Sequence, residues 1–415
     1  MPDDHHPLRQ VLALRDVRNF VIAGFFGGLG RSLLHATIHW HLWKVTDSLF
    51  YLGLLGLVEF LPVIPVSLVA GAVADNRDRR KLVMNAQALS IACALVLALG
   101  STRGEAEFVL ILAAAFVLAV AGCFQNPARS ALMPSLVSRE LFPTATVLNS
   151  NVRNVAAVSG PVAMGVIAAA AGISAAYLAT VALLGLSVAT LVFVRSPEIE
   201  GGGRPVSWAS VREGISFVWQ QKVILGSITL DMFAVVFASV TALLPVFATD
   251  LLGVDELGYG LLSASVQAGT VVMAVILLAI PPIVRPGRAL LVSVFFFGLA
   301  TIAFGLTRSF PLAVLALVLS GMADQVSMVS RSIILQLSTP DALRGRVNAV
   351  NMIFIGASNQ LGAAESGFLA SVTSATFSVV FGGLACLGVL AGVTAGIPAL
   401  RSYRIDDVNA TRSSS

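Results

Sequence analysis

The sequence predicts an all-α integral membrane protein with twelve transmembrane helices in two pseudo-symmetric six-helix bundles. Three observations predict it: a composition too apolar for water, apolar runs of membrane-crossing length, and a repeat between the two halves of the chain. Of 415 residues, 57% are hydrophobic and only 12% are charged. That leaves too little polar surface to cover a water-soluble globule of this size. The apolar runs approach the roughly 20 residues that a helix needs to cross about 30 Å of hydrocarbon. Barrel strands would be shorter and would alternate in polarity, so helices are favoured.

Read in order, the runs give spans near 20–43, 49–74, 81–100, 106–126, 144–171, 174–195, 223–248, 257–282, 288–307, 311–331, 346–371 and 377–399. The first begins after Arg9, Arg15 and Arg18, is long enough to cross, and is read as a retained helix and not a cleaved signal. With a cytoplasmic N-terminus, inner segments hold 22 of the 26 Lys and Arg, outer loops hold Lys44, Arg103 and Arg308, and Arg31 falls within a span. Both termini are therefore expected in the cytoplasm. The basic residues are spread over the inner loops, which gives no stripe for nucleic acid. Cys93, Cys123 and Cys386 all fall in spans without metal-ligand spacing, as small packing residues do.

The domain reading is an N-terminal six-helix bundle over 1–195, a cytoplasmic linker over 196–222, and a C-terminal bundle with a short tail over 223–415. Gly201-Gly202-Gly203 makes the linker a flexible break. Trp208, Val211, Ile215, Val218 and Trp219 recur at helical spacing beside Arg212 and Lys222, as in a helix lying on the membrane surface. At a constant offset of 202 residues, Arg129, Ser130, Leu141, Asn149, Gly160, Gly165 and Ala168 align with Arg331, Ser332, Leu343, Asn351, Gly362, Gly367 and Ala370. Parallel repeats of this kind build one class of transporters, with substrate held at mid-depth.

Three stretches carry a family resemblance. Gly71-Ala-Val-Ala-Asp75-Asn-Arg-Asp-Arg79-Arg80-Lys81, after the second span, resembles the signature loop of the major facilitator superfamily, departing from it at Asn76 and Asp78. Phe124-Gln-Asn-Pro-Ala-Arg129 and Thr339-Pro-Asp-Ala-Leu-Arg344-Gly-Arg346-Val-Asn-Ala-Val-Asn351 resemble its enterobactin-exporter-like and drug:proton antiporter branch. The resemblance implies a major facilitator fold, alternating access, and export of a siderophore or drug-like molecule from a bacterial inner membrane. Gly160-Pro161 and Gly165 are similar to the antiporter motif, with Ala156 and Met164 standing where Gly is common. Pro161 removes a backbone donor and the glycines admit close helix approach, which serves either coupling or plain packing. Gly71, Asp75, Arg79 and Arg80 are candidates for a conformational latch, with Asp75 on a helix N-terminus and the arginines on lipid phosphates or carboxylates. A basic loop that only sets topology is the alternative.

Ionisable groups inside a membrane cost roughly 3 kcal/mol or more, so each needs a partner, water or a task. Arg31, His35 and His39 are spaced by four and share one face of the first span. Glu59, near the middle of the second, is expected to pair with Arg31 or His35, as a protonation switch or as a permanent clamp. Two His at this spacing can hold a metal, but no further ligand pattern supports one. Trp40 and His41 are expected in the headgroup region. In the second half, Asp324 lies deepest, where desolvation disfavours a charged carboxylate and suits it to carry a proton; Asp231 and Glu365 lie nearer the inner end and in the eleventh span. Arg31 and the His stripe suit an anionic substrate group, Asp231 and Asp324 a cationic one.

No Walker loop, nucleophile elbow or Cys/His cluster appears, so the chain reads as a non-enzyme without cofactor or metal, driven by a proton gradient. The expected partners are a small-molecule substrate, protons and the bilayer, for a monomer. A lipid or lysolipid flippase on the same fold is the alternative. A non-transporting receptor is the other, and it would need an appended soluble domain that the short tail ending in Ser413-Ser414-Ser415 does not offer.

Overall fold

Proline and glycine decide where the apolar rods stop. The structure, a computed structural model, describes residues 7–100, 107–195 and 208–405, and among them every regular element is helical. A short α1 (Pro7–Ala13) leads into α2 (Arg15–Thr46), which Asp47 closes in the left-handed conformation with its N–H on the Trp43 carbonyl. The expected second span is not one helix. It divides into α3 (Leu49–Phe60) and α4 (Val63–Asn76) at Leu61-Pro62, where proline has no N–H to continue the ladder. Asp78 caps α5 (Arg79–Gly100) by accepting the Lys81 N–H at 3.2 Å.

The fourth helix, α6 (Glu107–Leu132), outruns its expected end at 126 and passes through Pro127 into a 3₁₀ turn at Met133–Ser135. Next, α7 (Phe142–Leu191) covers two expected spans, divided at Gly172, whose φ of 84° and ψ of 171° are open only to glycine. A helix, α8 (Trp208–Gln220), forms where the amphipathic pattern asked for one, with Val218 buried and Ile215 and Trp219 exposed. The expected seventh span also breaks: α9 (Lys222–Phe237) gives way to a 3₁₀ turn at Thr241–Leu243, to α10 (Leu244–Val246) around Pro245, and to a π turn at Phe247–Leu251. The chain continues through α11 (Glu256–Ala279), α12 (Pro286–Leu306), α13 (Phe310–Ser338), α14 (Asp341–Val372), α15 (Ala375–Gly396) and α16 (Pro398–Ser402). The Gly201-Gly202-Gly203 break, Arg103 and the Ser413-Ser414-Ser415 tail lie outside the described residues.

Among the described residues, ten segments are long and apolar enough to cross a membrane. Here α7 counts once although it holds two of the twelve expected spans, and α14 is long enough but too polar to count. The protein is a multi-pass membrane protein. The chain divides into two units: Met1–Asp47, Leu61–Val206 and Val254–Ala264 form the first, and Ser48–Phe60, Ser207–Gly253 and Ser265–Ser415 form the second. Each unit thus takes one segment from the other half of the sequence. The first unit packs around Phe20, Val83, Leu132 and Leu191, the second around Leu230, Leu290, Ile334 and Cys386.

Candidate substrate and coupling site

Close helix packing sets the frame on which the polar residues sit. In the first unit, a Cβ at Gly160 would lie 2.5 Å from Ser32 Cβ, and one at Gly165 would lie 2.6 Å from the Glu256 carbonyl, so α7 meets α2 and the start of α11 backbone to backbone. Gly260 returns the contact, 2.5 Å from the Pro161 carbonyl. Because Pro161 has no N–H, the Ala157 carbonyl one turn back loses its helical partner, and the Ser32 hydroxyl donates to it at 3.0 Å. The antiporter-like motif therefore has a packing role in the structure.

The second unit repeats this frame. Gly362 on α14 meets Ser239, just past α9, as Gly160 meets Ser32 on α2, and Gly367 meets Gly53 on α3 as Gly165 meets α11. Ser32 and Ser239 thus correspond. The swapped segments, α3 and the start of α11, also occupy corresponding places in the repeat.

On this frame α2 carries Arg31, His35 and His39. Arg31 Nη1 lies 3.5 Å from Asn126 Oδ1 on α6, and the cations Arg129 and Arg153 act on it. The His35 and His39 rings are 4.3 Å apart, with His39 Nδ1 3.0 Å from the His35 carbonyl. His39 is buried and His35 exposed. Trp40 and His41 are both buried in the protein, at 0% and 3% exposure. Trp40 stacks on Tyr259 at 4.9 Å, while His41 has Glu107 Oε1 2.8 Å from Nε2 and the Tyr177 hydroxyl 2.9 Å from Nδ1.

Glu59, Asp231 and Asp324 belong to the second unit. Glu59 is a buried carboxyl on α3. Asp231, 5% exposed on α9, is ion-paired with Arg331 of α13 and accepts the Ser327 hydroxyl at 3.2 Å. Asp324 is half-buried on α13, one turn beyond Gly321, where α13 crosses α11 so closely that a Cβ on Gly321 would strike the Val266 carbonyl. Asp324 has no hydrogen bond or ion pair among the described residues. Glu365 is half-buried on α14, two residues before Gly367.

In the signature loop, Gly71 on α4 faces open space, and Asp75 falls in the last turn of α4, with its side chain outside the described ones. Among the described residues, the two arginines donate to helix-end carbonyls. Arg79 donates to Ala131 at 3.1 Å, and Arg80 donates to Val192 at 3.1 Å and Val194 at 2.8 Å. These carbonyls end α6 and α7 and lack intrahelical donors, so the guanidinium groups cap them.

Sequence reasoning missed the cationic cluster formed by Arg129, Arg153 and Arg31. The signal for it was the repeat, which pairs Arg129 with Arg331 but gives only Arg331 an acid.

A model of the transmembrane secretion effector family matches residues 6–413. The chain belongs to that family, within the major facilitator superfamily. It is 27% identical over 359 residues to the multidrug efflux pump Tap of Mycobacterium tuberculosis, covering 82% of this chain and 83% of that one. It is 26% identical over 395 residues to the enterobactin exporter EntS of Citrobacter koseri, covering 93% of each. In fold it is similar to a POT family transporter solved with 5-aminolevulinic acid (TM-score 0.74, 12% identity, covering 93% of this chain and 96% of that one). The nucleoside transporter NupG is also similar (TM-score 0.71, 12% identity, 91% and 99%). The family member described here is a secondary transporter that exports small molecules and is not an enzyme, and its relatives do not favour the flippase or receptor readings.

Proposed function

We propose that this secretion effector exports a siderophore or drug-like organic molecule across the bacterial inner membrane by proton antiport, as a monomer with both termini in the cytoplasm. The observation that supports proton coupling is Asp324: a carboxyl midway along a membrane helix, without a hydrogen-bonding partner among the described residues, that can gain and lose a proton at modest structural cost. Asp231 differs, because Arg331 already neutralises it. Arg31, His35, His39 and Glu59 are assigned to substrate and proton handling. Gly71, Asp75, Arg79 and Arg80 are assigned the conformational latch, in which Arg79 and Arg80 tie α5 to the ends of α6 and α7. The relatives named for multidrug efflux and enterobactin export support the substrate class. The domain reading of two six-helix bundles joined by a cytoplasmic linker over 196–222 is kept, with α8 lying on the membrane surface.

Transport in proteoliposomes under an imposed pH gradient, screened over catecholate siderophores and cationic dyes, tests the reading. Gradient-driven uptake is expected in the parent and should be lost in Asp324→Asn, with Glu59→Gln altering substrate dependence. Uptake that ignores the gradient in all three proteins rejects proton antiport.

A further inference from the structure

One difference between the two units, at a position that the repeat makes comparable, concerns a buried charge. Ser32 corresponds to Ser239, and the repeat-related Arg129 and Arg331 reach Gly24 of α2 and Asp231 of α9, each eight positions before that serine, so Gly24 and Asp231 also correspond. In the second unit Arg331 meets the Asp231 carboxylate. In the first unit, its counterpart Arg129 meets bare backbone: a Cβ on Gly24 would collide with Arg129 Nη2. The acid is missing and the cation is retained.

Arg129 is 6% exposed, and its Nε and Nη2 are buried without a hydrogen-bond acceptor among the described residues. Its guanidinium lies 5.2 Å from the Phe20 ring, and the cations Arg31 and Arg153 act on it. The Asn149 side-chain oxygen beside Gly24 is likewise buried and unbonded. These groups border a cavity of about 200 Å³ lined by Arg129, Ser130, Met133, Phe142, Thr146, Asn149 and Arg153. A buried guanidinium without a counter-charge is strongly unfavourable unless something supplies one.

We propose that this cavity, where the C-terminal end of α6 meets the first turns of α7, is an anion-binding site. It takes one carboxylate- or phosphate-sized group on an apolar stem. The anion stands where Asp231 stands in the other unit: Arg129 and Arg153 donate to its oxygens, Ser130 and Thr146 offer hydroxyls, and Met133 and Phe142 cover the stem. The volume fits a single charged group and not a whole drug-sized molecule. Two sources share this chemistry, a soluble aromatic carboxylate or a phospholipid headgroup. Neither depends on proton coupling, so the inference stands or falls apart from the proposed transport cycle.

Thermal unfolding of the purified full chain in neutral detergent tests it, with sodium benzoate, dioleoylphosphatidylglycerol or dioleoylphosphatidylcholine added in turn. The parent's Tm should rise with benzoate or with the glycerol lipid, and not with the choline lipid. A rise with benzoate assigns a soluble carboxylate; a rise with the glycerol lipid alone assigns a net-anionic lipid headgroup, whose phosphate has no choline cation beside it. Asn149→Asp, which builds a carboxylate into the cavity, should raise the ligand-free Tm and abolish any further rise. Arg153→Gln should weaken apparent affinity about tenfold, the effect of losing one charge-assisted hydrogen bond, and Arg129→Gln should abolish the shift. Should Arg129→Gln fail to fold, the other two variants still decide. A parent unaffected by both anions, or a shift that survives unchanged in Asn149→Asp and Arg153→Gln, overturns the site.

Discussion

Pro161 removes a hydrogen bond from α7, and the Ser32 hydroxyl on α2 occupies the carbonyl so released. This makes a local defect into an interhelical tie and gives a prediction at the scale of the residue. Ser32→Ala should destabilise the protein by about 1 kcal/mol, the usual net worth of one such bond. In a Pro161→Ala background, where the Ala157 carbonyl regains its helical donor, the same change should cost close to nothing; equal costs in the two backgrounds would refute the tie. The buried Asp231–Arg331 pair is a second case. Asp231→Asn strands a buried cation and should cost about 3–5 kcal/mol, whereas Asp231→Asn with Arg331→Met should recover most of it. Chemical denaturation in detergent reads both. Of the site, the sequence made Arg31, His39, Asp231 and Asp324 visible because charge within an apolar run is rare. It hid the roles of Arg129 and Tyr177: one sits at a run's end among topology-setting arginines, and the other is one aromatic in an apolar run where nothing marks it as a histidine's partner.

At the scale of the element, glycines matter according to what faces them. A Cβ on Gly165 or Gly367 would press on the backbone of α11 or α3, which cannot step aside, while Gly122, Gly185 and Gly388 face open space. Gly165→Val and Gly367→Val should each cost about 1–3 kcal/mol through overpacking, and Gly185→Ala should change the Tm little. Equal tolerance at all these positions would show that the helices do not approach as closely as described. The apolar runs announced the helices well, because length and hydropathy alone identify a membrane rod. They did not announce the interruptions at Pro62 and Pro245, where apolar composition runs on although the backbone ladder stops. The turn at Gly172 was foreseen only as a gap between two spans, since a single φ of 84° leaves no mark on hydropathy.

At the scale of the whole molecule, the repeat organises everything else. The same glycine contacts recur in both units, and the residue that breaks the correspondence, Gly24 opposite Asp231, marks where the units do different work. The sequence carried this repeat as an offset of identities, but the exchange of α3 and the start of α11 between units needed coordinates, because helix packing is decided by faces distant in the chain. For function, the central claim is that substrate movement and proton movement are obligatorily opposed. It is tested most directly in proteoliposomes loaded with a pH-sensitive dye, by adding a transported substrate outside in the absence of any imposed gradient. The account predicts that the lumen becomes alkaline as substrate enters and that Asp324→Asn abolishes the change; substrate entry at the parent rate with no change in lumenal pH would contradict it.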